Sequence, residues 1–249
     1  MKNVKVNAYQ VGLVFKNGEY KRMLTAGNYW FWGNEVVHVY EINRLFTPPV
    51  ELNILLQDKA LADILHVIEV KDNEIVLMYE NDLLKQVLTA GRYAYWKSVI
   101  RYEFVHADTS KLEITEPISR ETLVHRLVSP YVRAVTVESH EKVVLFIDGK
   151  YDRVLNGGIY YMWKNSIVVQ IARVDTRQQQ LEINGQEILT RDKAALRINA
   201  WAQYKVTDIE KAVLQNKEYD KQLYVAFQLA LREYVAGFNF DELLDKKET

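Results

Sequence analysis

The chain has 249 residues, of which 49% are apolar and 12% aromatic, and its 32 basic and 33 acidic residues leave a net charge of -1 at pH 7. This apolar content is enough to bury cores and argues against a disordered or fibrous protein. The balanced charge argues against nucleic acid as a partner. The chain has no cysteine, which excludes disulfides, thiolate metal sites and a cysteine nucleophile.

No segment of the sequence is predicted to cross a membrane. The longest stretch without a charged residue runs from Met23 to Asn34 and has twelve residues, whereas a spanning helix needs about 20. The first residues lead directly into an alternating pattern and contain no apolar core of a signal peptide. We therefore expect neither a transmembrane segment nor a signal peptide in this chain.

Three copies of one unit follow each other along the chain. Aligning Val4 with Ile68 and Val135 makes ten of the 29 positions paired between the first two copies identical. A glycine, a tyrosine and a tryptophan recur in all three copies, at Gly27, Gly91 and Gly158, at Tyr29, Tyr93 and Tyr160, and at Trp32, Trp96 and Trp163. We predict tandem β-rich modules over 1–66 and 67–133 and a longer domain over 134–249 that opens with the third module.

The first copy shows the elements of the unit in order. Strands are predicted over Gly12–Lys16, Glu19–Leu24, Tyr29–Trp32 and Val36–Ile42. Between the first two strands lies Asn17-Gly18, and the equivalent positions hold Asn81-Asp82 and Asp148-Gly149. These residues tolerate positive φ and predict a type I′ hairpin turn in each copy.

Further elements connect and follow the modules. Short helices are predicted over Lys59–Leu65 and Arg120–Leu127, and strands over Ile167–Asp175, Gln178–Ile183 and Ala195–Val206. Asn184-Gly185 predicts a hairpin turn. Asp208 is expected to cap a helix over Ile209–Leu214, and an apolar stripe of Tyr219, Leu223, Ala226, Phe227, Ala230, Leu231 and Tyr234 predicts a helix that ends at Gly237. A last helix begins near Asp241 and reaches Thr249 without a cap, so we expect the chain to be truncated there.

Six short motifs follow each other from about Val135 to the end of the chain. They are the hairpin and glycine block from Glu141 to Trp163, Val174-Asp175-Thr176-Arg177, Gln186–Asp192, the strand Ala200–Val206, the helical Gln228–Glu233, and Asp241–Leu244. In this order and spacing they resemble the stomatin/prohibitin/flotillin (SPFH, or band 7) superfamily, and most closely the stomatin-like slipins.

The resemblance implies an α+β fold, in which a bent mixed sheet packs on helices, here preceded by two small β-rich repeat modules. It also implies a homo-oligomer that scaffolds membranes and assembles with integral membrane proteins, including membrane proteases, without being an enzyme. Stomatin-like proteins usually carry an apolar membrane segment before this domain, where this chain has two extra modules, and the coiled coil that follows the domain is nearly absent here. We therefore expect a cytoplasmic protein that is peripheral to the membrane.

No catalytic, cofactor or metal site is predicted. The histidines lie at least fifteen residues apart, without metal-binding spacing, at His38, His66, His106, His125 and His140. Phosphate-binding and nucleophile motifs are absent, and Gly157-Gly158 is interpreted as a corner because its position recurs. Asp175, Asp192 and Asp241 are interpreted as turn and cap residues.

The candidate contact residues lie in the first aromatic strand and in the last helices. Tyr29 and Trp32 recur in the other copies and are interpreted as packing residues, whereas Trp30 does not recur. Trp30, with its neighbour Phe31, is therefore the candidate for contact with a partner protein or a membrane interface, which aromatic side chains favour. The candidates for oligomer contacts are Arg232, Leu243 and Leu244.

The sequence thus predicts a non-catalytic scaffold or adaptor that binds itself, integral membrane proteins or a membrane protease, and the membrane surface. The alternative is a soluble ligand-binding protein or enzyme that uses a cleft between the modules. A deep pocket with convergent polar groups would favour that alternative. A soluble relative without a membrane role is the third hypothesis.

Overall fold

The computed structural model describes residues 2–98 and 100–245. They separate into two compact units, one of residues up to Arg133 with Tyr161–Asn165 and the other of Ala134–Tyr160 with the residues from Ser166 onward. Strands in small sheets and several helices confirm the expected α+β class. The predicted end of the last helix at Thr249 lies outside the described residues.

The first unit contains two modules of the same construction. Its strands are β1 (Lys2–Val6), β2 (Gln10–Lys16), β3 (Glu19–Leu24), β4 (Gly27–Phe31), β5 (Glu35–Glu41), β6 (Leu65–Val70), β7 (Glu74–Glu80), β8 (Leu83–Leu88), β9 (Gly91–Trp96) and β10 (Tyr102–Asp108). Its α-helices are α1 (Leu52–Leu55), α2 (Lys59–Asp63) and α3 (Arg120–Val124), and a 3-10 turn covers Ser129–Tyr131. Each module has an antiparallel three-stranded sheet, β3-β2-β5 or β8-β7-β10, and an antiparallel two-stranded ribbon, β1-β4 or β6-β9.

The predicted hairpin turns are confirmed in all three copies. The two central residues of each turn have positive φ, from 48° at Asn81 to 83° at Gly18, as a type I′ turn requires. The strand register shifts next to each turn, between Val14 and Phe15 in the first copy and at the equivalent positions of the others. The repeat therefore extends to the β-bulge that follows the turn.

The recurrent tyrosine has one structural role in the three copies. Its hydroxyl donates a hydrogen bond to the backbone carbonyl four residues earlier, from Tyr29 to Thr25, from Tyr93 to Thr89 and from Tyr160 to Asn156, at 2.9–3.0 Å. The glycine two residues before the tyrosine lies under the ring, where an added Cβ at Gly27 would be 3.1 Å from Tyr29. The shared glycine and tyrosine thus form one corner, as predicted.

Each ribbon of the first unit has one face on the sheet of its own module. In the second module Val70 and Tyr95 of the ribbon pack with Val76 and Met78 of the sheet. In the first module Val6 and Phe31 pack with Val14 and Leu24. The alternation of side chains along each strand leaves the other face of the ribbon for a second contact.

That second contact joins successive modules. Trp96 of the second ribbon packs in the core of the first module, with Leu13 of β2 and with Leu61 of α2. Its ring lies 4.7 Å from the ring of Phe46, measured between centroids. Trp163, the equivalent residue of the third copy, packs in the same way with Leu77 of β7. The recurrent tryptophan therefore fills the core of the preceding module.

The interpretation of Trp32 as a packing residue is wrong. Trp96 and Trp163 are 1% and 0% exposed, whereas Trp32 is 73% exposed. β4 ends at Phe31, one residue before Trp32, and in the described part of the chain no sheet covers this end of the first ribbon. Trp32 occupies the same position in the repeat as Trp96 and Trp163, but a tryptophan at this position is buried only where the sheet of a preceding module covers it.

Replacement of Tyr95 by phenylalanine is expected to stabilise the first unit by about 1 kcal/mol, because a buried polar atom without a partner is costly. Tyr95 is 2% exposed, its hydroxyl has no hydrogen-bond partner, and its burial raises the hydroxyl pKa to about 12. Phe31 occupies the equivalent position in the first module. Urea unfolding should show a higher midpoint for Tyr95→Phe.

Tyr20→Phe is the matched control for this prediction. The Tyr20 hydroxyl donates to Asp58 Oδ2 at 2.6 Å, and Asp58 also caps α2 by accepting from the Ala60 N–H. This variant should therefore lose stability, while Tyr95→Phe gains it. Equal losses in both variants would contradict the assignment of Tyr95 as an unpaired hydroxyl.

The second unit continues the third module and adds a β-ribbon and helices. Its strands are β12 (Glu141–Ile147), β13 (Lys150–Leu155), β15 (Val169–Asp175), β16 (Gln179–Leu189) and β17 (Ala195–Tyr204). β11 (Val132–Val137) and β14 (Gly158–Trp163) form the two-stranded ribbon of the third module. A π-helical turn, Lys211–Gln215, precedes α4 (Tyr219–Ala236) and α5 (Phe240–Asp245). The sheet β13-β12-β15 and the ribbon β16-β17 are antiparallel, where a mixed sheet was expected. The predicted cap is confirmed, since Asp208 Oδ1 accepts from the Lys211 N–H at 3.0 Å.

The prediction of a hairpin turn at Asn184-Gly185 is wrong. β16 runs through both residues to Leu189, with a register shift between Ile183 and Gln186. Gly185 has φ +67° and its N–H donates to the Asn199 side chain at 2.7 Å. A glycine at positive φ suits a β-bulge as well as a turn, and here the chain reverses after Leu189.

Candidate functional site

The described residues contain no group of three or more His, Cys, Asp or Glu side chains placed to hold a metal ion. His106 Nδ1 lies 2.8 Å from Glu74 Oε1 in a pair on the surface of the second sheet. Asp175 lies beside Arg177, whose guanidinium and backbone N–H donate hydrogen bonds that lower the pKa of this carboxyl to about 2. The Asp175 carboxylate therefore stabilises the turn that follows β15, as predicted.

The first unit has a shallow cavity where Trp96 meets the first module. It measures about 330 Å³ and is lined by apolar side chains such as Val11, Met23 and Ile42, with Lys97 at its edge. A larger cavity of about 480 Å³ lies beside the first hairpin turn, between His38 and Val50. Neither lining brings a carboxylate together with a histidine, so the acid–base pair that the enzyme hypothesis needs is not assembled at these two places.

The long helix α4 packs against β16 and leaves apolar side chains in solvent. Val235 is buried, and Tyr224, Phe227 and Leu231 are half-buried, on one side of the helix. The predicted stripe therefore differs from the packed face, because Leu223 and Tyr234, which belong to the stripe, are exposed. Apolar residues surround most of α4, so their spacing does not define one packed face.

The opposite side of α4 carries an exposed apolar strip. Val225 is 51% and Leu229 58% exposed, and together with Ala226 they line a cavity of about 400 Å³. Lys217 and Lys221 border this cavity. We call Val225, Ala226 and Leu229 the α4 strip. Leu229 follows Val225 by four residues and Ala226 by three, so it neighbours both on the helix surface.

A turn between β16 and β17 holds α5 in place. The Arg191 backbone N–H donates to the Phe238 carbonyl at 2.9 Å, and its guanidinium donates to Asn239 Oδ1 and to the Glu242 carboxylate. Asp192 accepts from the Phe240 N–H at 3.2 Å, and hydrogen bonding, first from the Thr190 hydroxyl, lowers the pKa of its carboxyl. The sequence around Asp192 predicts a turn residue and gives no signal for its role in positioning α5.

The three candidate oligomer residues lie on α4 and α5. Leu244 is 51% exposed, whereas Leu243 is half-buried. Arg232 is exposed and its Nη2 donates to Gln186 Oε1 at 3.3 Å. The structure thus leaves Leu244 and Arg232 accessible, and the α4 strip adds an accessible apolar surface that the sequence analysis did not identify.

The candidates of the first aromatic strand differ from each other. Trp30 is 56% exposed, whereas Phe31 is 3% exposed and packs with Val6 and Val14. Any contact made by this strand therefore involves Trp30 and the exposed Trp32, on the side of the ribbon that faces away from Phe31.

Residues 135–249 match the family model described as SPFH domain / Band 7 family. An uncharacterized protein of Methanocaldococcus jannaschii is 34% identical over 76 residues, which cover 30% of this chain and 38% of that protein. Stomatin homologs of Pyrococcus horikoshii and Pyrococcus abyssi are each 30% identical over 112 residues, 45% of this chain and 41% of theirs. The chain therefore spans less than half the length of these relatives.

Proposed function

We propose that this chain, whose residues 135–249 match the SPFH domain / Band 7 family and resemble stomatin homologs, acts as a non-catalytic scaffold. It assembles with copies of itself and organises or regulates integral membrane proteins at the cytoplasmic side of a membrane. A membrane protease is the partner class to test first. The proposed membrane association is supported by the family that residues 135–249 match. No described helix is long and apolar enough to span a bilayer.

The observation that carries self-association is the exposed apolar surface of α4 and α5. Val225, Leu229 and Leu244 are each more than half exposed on helices that β16 and the Arg191 turn hold in place. Exposed apolar side chains on a fixed element favour association because burial removes their surface from water without first ordering the chain. We therefore propose that the α4 strip, Leu244 and Arg232 form the contact between copies, with Leu243 at its edge.

Light scattering of the purified chain tests this proposal. The wild type should have a molar mass above the 29.2 kDa of one chain, and Leu229→Ser/Leu244→Ser should lower it to that of the monomer. Leu83→Ser is the control, because Leu83 is 62% exposed on the second module and should leave the mass unchanged. A monomeric wild type would overturn the proposed self-association.

A further inference from the structure

The outer face of the first ribbon is open to solvent. Lys5 and Asn28 pair in the β1-β4 register, as do Asn3 and Trp30, and Trp32 follows directly after β4. We call Asn3, Lys5, Asn28, Trp30 and Trp32 the Trp face. Its two indoles are 56% and 73% exposed, and neighbouring exposed apolar groups rimmed by polar residues are typical of an interaction site.

The equivalent face of the second ribbon shows what differs in the first. There the sheet of the preceding module covers Leu65, Ala94 and Trp96, with Val67 packed at the border. In the first ribbon Asn3 replaces Val67 and Trp30 replaces Ala94. A protein sheet docked in the same way would have to bury the Asn3 amide, which costs free energy unless a partner accepts and donates its hydrogen bonds. Indole rings beside polar side chains instead suit the boundary between water and lipid.

The charge of the Trp face also favours contact with a lipid membrane. In the second ribbon the equivalents of Lys5 and Asn28 are Glu69 and Arg92, which form an ion pair with each other. In the first ribbon the equivalent pair is Lys5 and the uncharged Asn28, so Lys5 is the only charged residue of the Trp face, because Lys2 pairs with Phe31 and lies on the other face. Among the described residues Lys5 takes part in no ion pair. The single positive charge of the Trp face is complementary to anionic lipid headgroups.

We propose that the Trp face binds the surface of an anionic lipid bilayer. Trp30 and Trp32 insert their rings among the headgroups, and Lys5 lies against the lipid anions. This inference rests on the membrane association in the proposed function but does not depend on self-association through α4 and α5. Because Phe31 is buried and Trp32 is exposed, the second contact residue beside Trp30 is Trp32 and not Phe31.

Co-sedimentation of the chain with vesicles tests the proposal, using phosphatidylcholine alone or mixed with phosphatidylserine. Trp30→Ala/Trp32→Ala should weaken binding to the anionic vesicles by about tenfold or more, since two large apolar groups no longer leave water. Lys5→Gln should weaken the same binding by about fivefold and leave binding to neutral vesicles unchanged. Trp201→Ala is the control, because Trp201 is 69% exposed on β17 and should bind like the wild type.

Three results would overturn this inference: a wild type that does not bind anionic vesicles, a double tryptophan variant that binds as well as the wild type, or an equal loss in the Trp201 variant. A lower molar mass of the double tryptophan variant with unchanged vesicle binding would instead assign the face to a protein contact. Light scattering of Leu229→Ser/Leu244→Ser measures self-association separately. If the wild type is monomeric but binds anionic vesicles, and the double tryptophan variant does not bind them, the proposed scaffold is refuted and the proposed lipid contact is supported.

Discussion

Replacement of Trp96 by alanine is expected to lower the free energy of unfolding of the first unit by about 3–5 kcal/mol, the range for removing a buried large aromatic side chain. Trp96 is 1% exposed and contacts the rings of Phe46 and Tyr40, with centroids 4.7 and 6.4 Å away. It belongs to the second module but fills the core of the first. Its loss should therefore weaken both modules, because the β6-β9 ribbon lies between their sheets.

One feature of Trp96 limits the size of this effect. Its Nε1–H is buried without a hydrogen-bond partner, so the wild type already carries a desolvation cost of about 1–3 kcal/mol. Trp96→Phe removes that cost and retains an aromatic ring, and it should lose much less stability than Trp96→Ala. Urea unfolding followed by far-UV circular dichroism measures both variants.

Trp32→Ala is the matched control for Trp96→Ala. The two tryptophans occupy the same position in the repeat, but Trp32 is 73% exposed, and exposed substitutions usually change stability by less than about 0.5 kcal/mol. Similar losses of unfolding free energy in the two variants would show that the position in the repeat, and not burial under the preceding module, determines the effect. That result would contradict the packing of successive modules described above.

The sequence was sufficient for features that depend on neighbours along the chain. The repeat, the hairpin turn at Asn17-Gly18 and its equivalents, and the glycine–tyrosine corner all rest on backbone preferences of a few adjacent residues. The turn residues have positive φ in each of the three copies. Local patterns therefore predicted most strands of the modules to within two residues at each end.

The errors concern contacts with residues distant in the chain. Trp32 repeats a pattern whose burial requires a preceding sheet, and α4 has apolar residues on several sides, so that packing on β16 alone decides which side is buried. At Asn184-Gly185 the local signal was ambiguous, because positive φ suits a bulge and a turn alike. The anchoring of α5 by Arg191 depends on a contact across 51 residues to Glu242, which single-sequence patterns do not reveal.

Gly91→Ala is expected to destabilise the first unit by about 1–3 kcal/mol, the cost of holding a residue other than glycine in a sparsely populated backbone region. Gly91 has φ +151°, and its equivalent Gly158 has +154°. A Cβ at Gly91 would have room, since the nearest atom, in the ring of Tyr93, is 3.6 Å away. The loss should therefore come from the backbone conformation and not from a steric clash.

Gly27 separates these two causes. Gly27, the equivalent glycine of the first module, does not have a positive φ. A Cβ added to Gly27 would approach the Tyr29 ring to 3.1 Å. Because Tyr29 is only half-buried and can shift, Gly27→Ala should cost less than Gly91→Ala in urea unfolding. A larger loss for Gly27→Ala would mean that contact with the tyrosine ring, and not backbone conformation, requires glycine at the corner of each module.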